Sequence, residues 1–187
     1  PQEGEIRITE VNWAGSFDDQ GTNRTADEWI EFYNTTEKLL SLDGVQLVNG
    51  RSSSRTLFFP PGHSIPPYSF FVVGRQKGTY TLLAEDPDWH TTELSLSNTE
   101  ASLVLQTSQG VILDQTPSGL WQVGINDTTE LIRASAQRKH LTLPGNEWQS
   151  WHHCEEVHWE QCSISSKESW KPNTEQTFGT PWHFSVL

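Results

Sequence analysis

The densest chemistry in the chain is the run Trp151-His152-His153-Cys154-Glu155-Glu156-Val157-His158-Trp159, with Cys162 shortly after. Thiolate and imidazole are zinc ligands, and Cys154, Cys162, His158 and either His152 or His153 could complete a tetrahedral set. Cys154 and Cys162 are also the only cysteines, with no thiol left over, which points to a local disulfide as the leading expectation. Catalytic zinc patterns fail here. His153 and His158 are five apart rather than four, Val157 separates Glu156 from His158, and there is no C-x-x-C.

Carboxylates form the second group. Asp18, Asp19, Asp27 and Glu28, and separately Glu85, Asp86 and Asp88, could supply the hard oxygens calcium requires. Neither run follows the EF-hand order, so solvated turns are the expected role. Glu10 and Glu31 fall on strands expected to be neighbours and would be acid–base candidates if buried. A surface position, or pairing with an arginine such as Arg75, is the expectation. There is no G-x-S-x-G and no glycine-rich phosphate loop, so no catalytic residue and no cofactor is assigned.

Nine tryptophans make up the third group. Trp13 and Trp29 belong to strands and should fill core or inter-sheet space. Trp89, Trp121, Trp151 and Trp159 fall in loops or late segments and are the binding candidates, because exposed indoles stack on sugars or fill partner pockets. The competing expectation is that they pack against one another where aliphatics are few.

The elements that must carry these groups are strands. Glu5 to Trp13 alternates, with Ile6 and Ile8 on one face and Arg7 and Thr9 on the other. Glu28 to Asn34 sets Ile30 and Phe32 against Trp29, Glu31 and Tyr33. Strands are also expected at Val45 to Val48, Leu57 to Phe59, Tyr68 to Gly74, Ser102 to Thr107 and Val111 to Asp114, with a short edge segment over Glu93 to Leu96. Glu85 to His90 reads as a loop, and prolines 60, 61, 66 and 67 bracket a connection between sheets. No window sustains a 3.6-residue period. Short strands separated by frequent turns describe a sandwich or barrel.

Charge narrows the partners. With 24 acidic and 12 basic residues, the formal charge of -12 opposes binding to phosphate backbones and anionic membranes. The longest basic run is Arg138-Lys139-His140. No apolar stretch approaches the roughly 18 residues of a membrane span, so no membrane insertion is expected. Asn23, Asn34 and Asn126 head N-x-[ST] sequons. They carry sugar only in a suitable host; the polar, Asn/Thr/Ser-rich composition and the cysteine pair suggest an extracellular or cell-surface setting.

Several blocks resemble the lamin tail domain family in its bacterial and archaeal extracellular form. They are ITEVNWAG (Ile8 to Gly15), DEWIEFYN (Asp27 to Asn34), LSLDGVQL (Leu40 to Leu47), LFFPPGHSIPPYSFFVVGR (Leu57 to Arg75) and LSLSNTEASLVLQTSQGVILD (Leu94 to Asp114), with a late GTPW at Gly179 to Trp182. The resemblance implies an all-β, immunoglobulin-like sandwich without catalytic residues. It also implies a contact-making module in larger proteins, in prokaryotes secreted or surface ones. Nuclear lamins additionally bind chromatin and DNA through this domain, a role the acidic charge argues against here. The expected organisation is one domain over 1–187, with 139–178 a loop-rich Trp/His/Cys insertion and 179–187 a closing segment. The expected function is a noncatalytic module for protein–protein contact. The alternative is carbohydrate or calcium-assisted binding through the loop tryptophans and acidic loops.

Overall fold

The computed structural model describes residues 1–49, 55–154 and 177–178. Among them, ten strands form two main sheets. They are β1 (Ile6–Asn12), β2 (Trp29–Asn34), β3 (Val45–Asn49), β4 (Arg55–Phe58), β5 (Phe70–Gly74), β6 (Trp89–His90), β7 (Leu103–Thr107), β8 (Ile112–Gln115), β9 (Ala136–Arg138) and β10 (Trp151–His153). The larger sheet runs β6-β5-β2-β1-β9-β10 and the smaller one β8-β7-β3-β4. Three short 3₁₀ turns are the helical content of the described residues, and none of their helices is long and apolar enough to cross a membrane. The all-β, immunoglobulin-like sandwich expected from the sequence is what the chain forms.

The β1 sequence shows how the larger sheet is aimed. Ile8 faces Phe32 and Glu10 faces Glu31, so Thr9 is the extra residue of a β-bulge. A bulge reverses the inward–outward parity of the residues after it. Ile6 and Ile8 therefore point into the core before it, and Val11 and Trp13 after it. All four are buried. Without the bulge, Val11 and Trp13 would leave the core.

Ile30, Phe32, Phe71, Val73 and Ala136 of the larger sheet meet Val45, Leu47, Leu57, Leu103, Leu105 and Leu113 of the smaller one. Phe59, just past β4, packs edge-on against Phe32 at 5.7 Å between centroids and against Trp89 at 5.3 Å. The outer face of the larger sheet is buried too, where Trp29 and Val72 pack with Leu83.

Two expectations are corrected. Glu93 to Leu96 is not a strand. Its alternating leucines are buried plugs, and the Leu96 N–H donates to the Glu28 carboxylate rather than to a ladder. Trp89–His90, expected in a loop, is instead a strand that pairs parallel with Val73 and Gly74.

The expected insertion at 139–178 is also not wholly irregular. Arg138 pairs with Trp151 and Ala136 with His153, so β10 extends the larger sheet and delivers Trp151 to the core. Thr177–Phe178 pairs parallel with Arg133 and Ala134. Residues 155–176 and the closing segment 179–187 lie outside the described residues.

Candidate functional site

Charged side chains in the interior are used to join the two sheets. The carboxylate of Asp114, on β8, accepts from the Ile8 N–H at 2.8 Å and from the Arg7 guanidinium at 3.2 Å. Arg138, on β9, grips the same carboxylate through both terminal nitrogens and donates to the Leu143 carbonyl at 2.6 Å. Arg138 is completely buried, so the basic run Arg138-Lys139-His140 is no surface patch. Gly145 closes over the pair: a Cβ there would lie 2.2 Å from the Gln115 carbonyl oxygen and 2.9 Å from Arg138 Nη2. No local sequence signal marks this ion pair, because its members are aligned only by the sandwich.

The acidic loop residues act mainly as acceptors for backbone N–H groups. Asp18 Oδ1 takes the N–H groups of Gln20 and Thr22, and the Thr22 bond above all holds its carboxyl below the ordinary range. Asp19 is exposed beside it. Asp86 accepts from Gly78 and Asp88 from Val72. Asp27 is buried, accepting from Ser16 Oγ and the Leu82 N–H. Glu28 is buried as well and faces Arg75 at 3.5 Å. Burial pushes its carboxyl up to about 7 against the opposing pull of the Leu96 N–H and Arg75.

Glu10 and Glu31 overturn the surface expectation. They are cross-strand partners on the outer face of the larger sheet, and neither is exposed. Glu10 accepts from Ser135 Oγ and Gln137 Nε2, and Glu31 accepts from Thr9 Oγ1. Arg75 pairs with Glu28 instead. Two opposed buried carboxylates could in principle exchange a proton. Here hydroxyl and amide donors engage them within the sheet, and neither lines a groove described below.

The His/Cys cluster is only partly described. His152 and His153 are successive residues of β10 and half-buried, and a strand directs successive side chains to opposite faces. They cannot both turn toward one ion without distorting the strand. Cys154 is fully buried, and among the described residues no cysteine is free. Cys162, His158 and Trp159 lie outside the described residues. Among the described residues, no three His, Cys, Asp or Glu side chains form a metal-holding group.

The described tryptophans are occupied inside the fold. Trp151 is buried, donates to the Gly145 carbonyl at 2.8 Å and lies beneath the Arg138 guanidinium. It is not an open binding residue. Trp121 stacks on Trp13 at 5.3 Å with 9° between planes, and its Nε1 donates to the Ser97 carbonyl. Trp89 wedges between Phe59 and His63. Both are half-buried with their ring faces engaged. The sequon at Asn34 is likewise consumed, because its side-chain amide donates to the carbonyls of Lys38, Ile65 and Pro66.

Grooves among the described residues include two of similar size. One, of about 300 Å³, is lined by Leu47, Leu57, Leu94, Leu96 and Leu103 together with polar residues including Asn49 and Glu93. The other, of about 340 Å³, is lined by Phe17, Leu131 and polar or acidic loop residues including Asp18, Asp19 and Glu130.

The outer face of the smaller sheet differs from the rest of this acidic surface. Register aligns Ile112, Gln106, Gln46 and Phe58 in one row across β8-β7-β3-β4, and Gln115, Val104, Val48 and Thr56 in the next. All eight are exposed or half-buried, with Phe58 at 66% and Ile112 at 42%. None carries a charge. Sequence reasoning passed over this face. The available signal was that the outward positions of β3 and β7 are Gln and Val where Lys or Glu would ordinarily keep a sheet face solvated.

A family model described as Lamin Tail Domain matches residues 1–119. Comparison with curated proteins returns no match.

Proposed function

The chain belongs to the lamin tail domain family, and we propose that it serves as a noncatalytic protein–protein contact module within a larger secreted or surface protein. The family is a noncatalytic immunoglobulin-like one that often mediates interactions. The observation that carries the finer reading is the uncharged outer face of β8-β7-β3-β4 on a chain of formal charge -12. Desolvating a charge is expensive, whereas apolar and amide groups can be covered at little penalty when the amides find partners. A partner therefore docks most readily where charge is missing. Phe58 supplies the aromatic anchor such contacts favour.

The extracellular setting rests on the polar composition and the cysteine pair, for which the proposal is a Cys154–Cys162 disulfide. Intact mass checks that bond: the chain should gain the mass of two hydrogens on reduction, and an unchanged mass would remove it. Sugar stacking is disfavoured at Trp89, Trp121 and Trp151 by their internal engagement.

Photo-crosslinking tests the contact reading. A photoreactive phenylalanine analogue replaces Phe58 or Ile112 in the full-length protein at its native location, with Tyr80 as the exposed control. Protein adducts should form from Phe58 and Ile112 and not from Tyr80. Equal yields at all three positions would refute the assignment of this face.

A further inference from the structure

We infer that the outer face of β8-β7-β3-β4 pairs with the same face of a second copy of this chain. The inference rests on the reading of this face as the docking surface and commits it to one occupant. Its basis is the register of the sheet. A two-fold axis lying between two such sheets, parallel to the strands, sets β4 of one copy over β8 of the other and β3 over β7. Phe58 then lies over Ile112, Val48 over Val104, Gln46 over Gln106 and Thr56 over Gln115, each twice by symmetry. Apolar groups meet apolar groups. Each glutamine meets a side chain that can both donate to its carbonyl and accept from its amide. A symmetric interface must be self-complementary in this way, and face-to-face packing of sheets is an ordinary arrangement.

Charge favours the same orientation. Two copies at -12 each repel one another over most approaches. Joining through eight uncharged residues keeps the acidic loops at the periphery, where solvent and salt screen them. The face is small. Four strands and two rows span roughly 20 Å by 13 Å by strand spacing and rise. That is well below the ~800 Å² per partner of a standard interface, so the dimer is a weak, concentration-dependent one.

Sedimentation equilibrium of the full chain tests this. The weight-average mass should rise from 21.2 kDa toward twice that value as concentration approaches the millimolar range. Added salt should favour the rise. Two variants then probe the register, Gln46→Lys/Gln106→Lys and Gln46→Glu/Gln106→Glu, at half-buried positions whose substitution leaves the core intact, checked by circular dichroism. Each alone should remain monomeric at low salt. Their equimolar mixture should associate at least tenfold more tightly than either, because each lysine lies over a glutamate. A wild type that stays monomeric at millimolar concentration overturns the inference, as does association unaffected by the charges or not restored on mixing. If Phe58 still cross-links to a different protein in the monomeric case, self-pairing falls and the contact-module reading stands. If no cross-link forms at this face either, both fall.

Discussion

Replacing Glu28 with glutamine should alter how stability depends on pH. Its carboxyl is almost fully buried and shifted from 4.5 to about 7, chiefly by burial, with the Leu96 N–H and Arg75 opposing. Between those values the folded chain holds a proton that the unfolded chain has released. The stabilisation this group provides is complete below about pH 4.5, and it is lost as pH rises through 7. The interval between 4.5 and 7 corresponds to about 3 kcal/mol. Glutamine keeps an oxygen for the Leu96 N–H but carries no charge to bury, so Glu28→Gln lacks this step. Near pH 4.5 the two proteins should be about equally stable. At pH 8 the variant should be the more stable by about 3 kcal/mol, because the rise to about 7 already sets the Arg75 attraction against burial. Urea unfolding from pH 4.5 to 8.5 measures both curves, and their difference cancels titrations elsewhere in the fold. Parallel curves would refute the burial argument. So would a variant less stable than wild type at pH 8, which would mean that attraction to Arg75 outweighs the cost of burying the charge.

Other outcomes follow from the interior. Arg138→Met should destabilise by about 3–5 kcal/mol in equilibrium unfolding, since it leaves the Asp114 carboxylate buried without its bidentate partner. Arg138→Met combined with Asp114→Leu should lose less than the sum of the single changes, and strict additivity would argue against coupling. Asn34→Ala removes the donor to three carbonyls and should cost about 2 kcal/mol by the same measurement. In a glycosylating secretory host Asn34 should stay unmodified, as glycopeptide mass spectrometry would establish. Gly124→Ala should lower the melting temperature, because φ is +83° and the new Cβ would come within 2.4 Å of Trp13 Nε1. An unchanged melting temperature would count against the tight Trp13 contact.

Much of this architecture is legible in the chain because a strand is a local object. Alternation and turn residues locate β1, β2, β3, β7 and β8, a continuous apolar run locates β5, and the two prolines of Pro60-Pro61 break the chain where it crosses between sheets. The same rule misleads at Leu94 and Leu96, whose alternation fills the core from a loop. It is silent at Trp89–His90, where two residues are too few to show a period.

What the linear order carries by itself is therefore the all-β class, most strand positions, the inward residues of β2 and of β1 before its bulge, and the family resemblance. Tertiary structure alone decides which charges are buried and which faces stay open. Asp114 meets Ile8 across 106 positions and Arg138 across 24, and Glu10 meets Ser135 across 125. Burying a carboxylate is tolerable only when donors arrive to meet it, and those donors come from distant strands. A basic run could thus be read at Arg138, and a surface position at Glu31, until the sheets were assembled. The uncharged face arises in the same way. Gln46, Val48, Val104 and Gln106 are ordinary one by one, and the pairing register makes them neighbours.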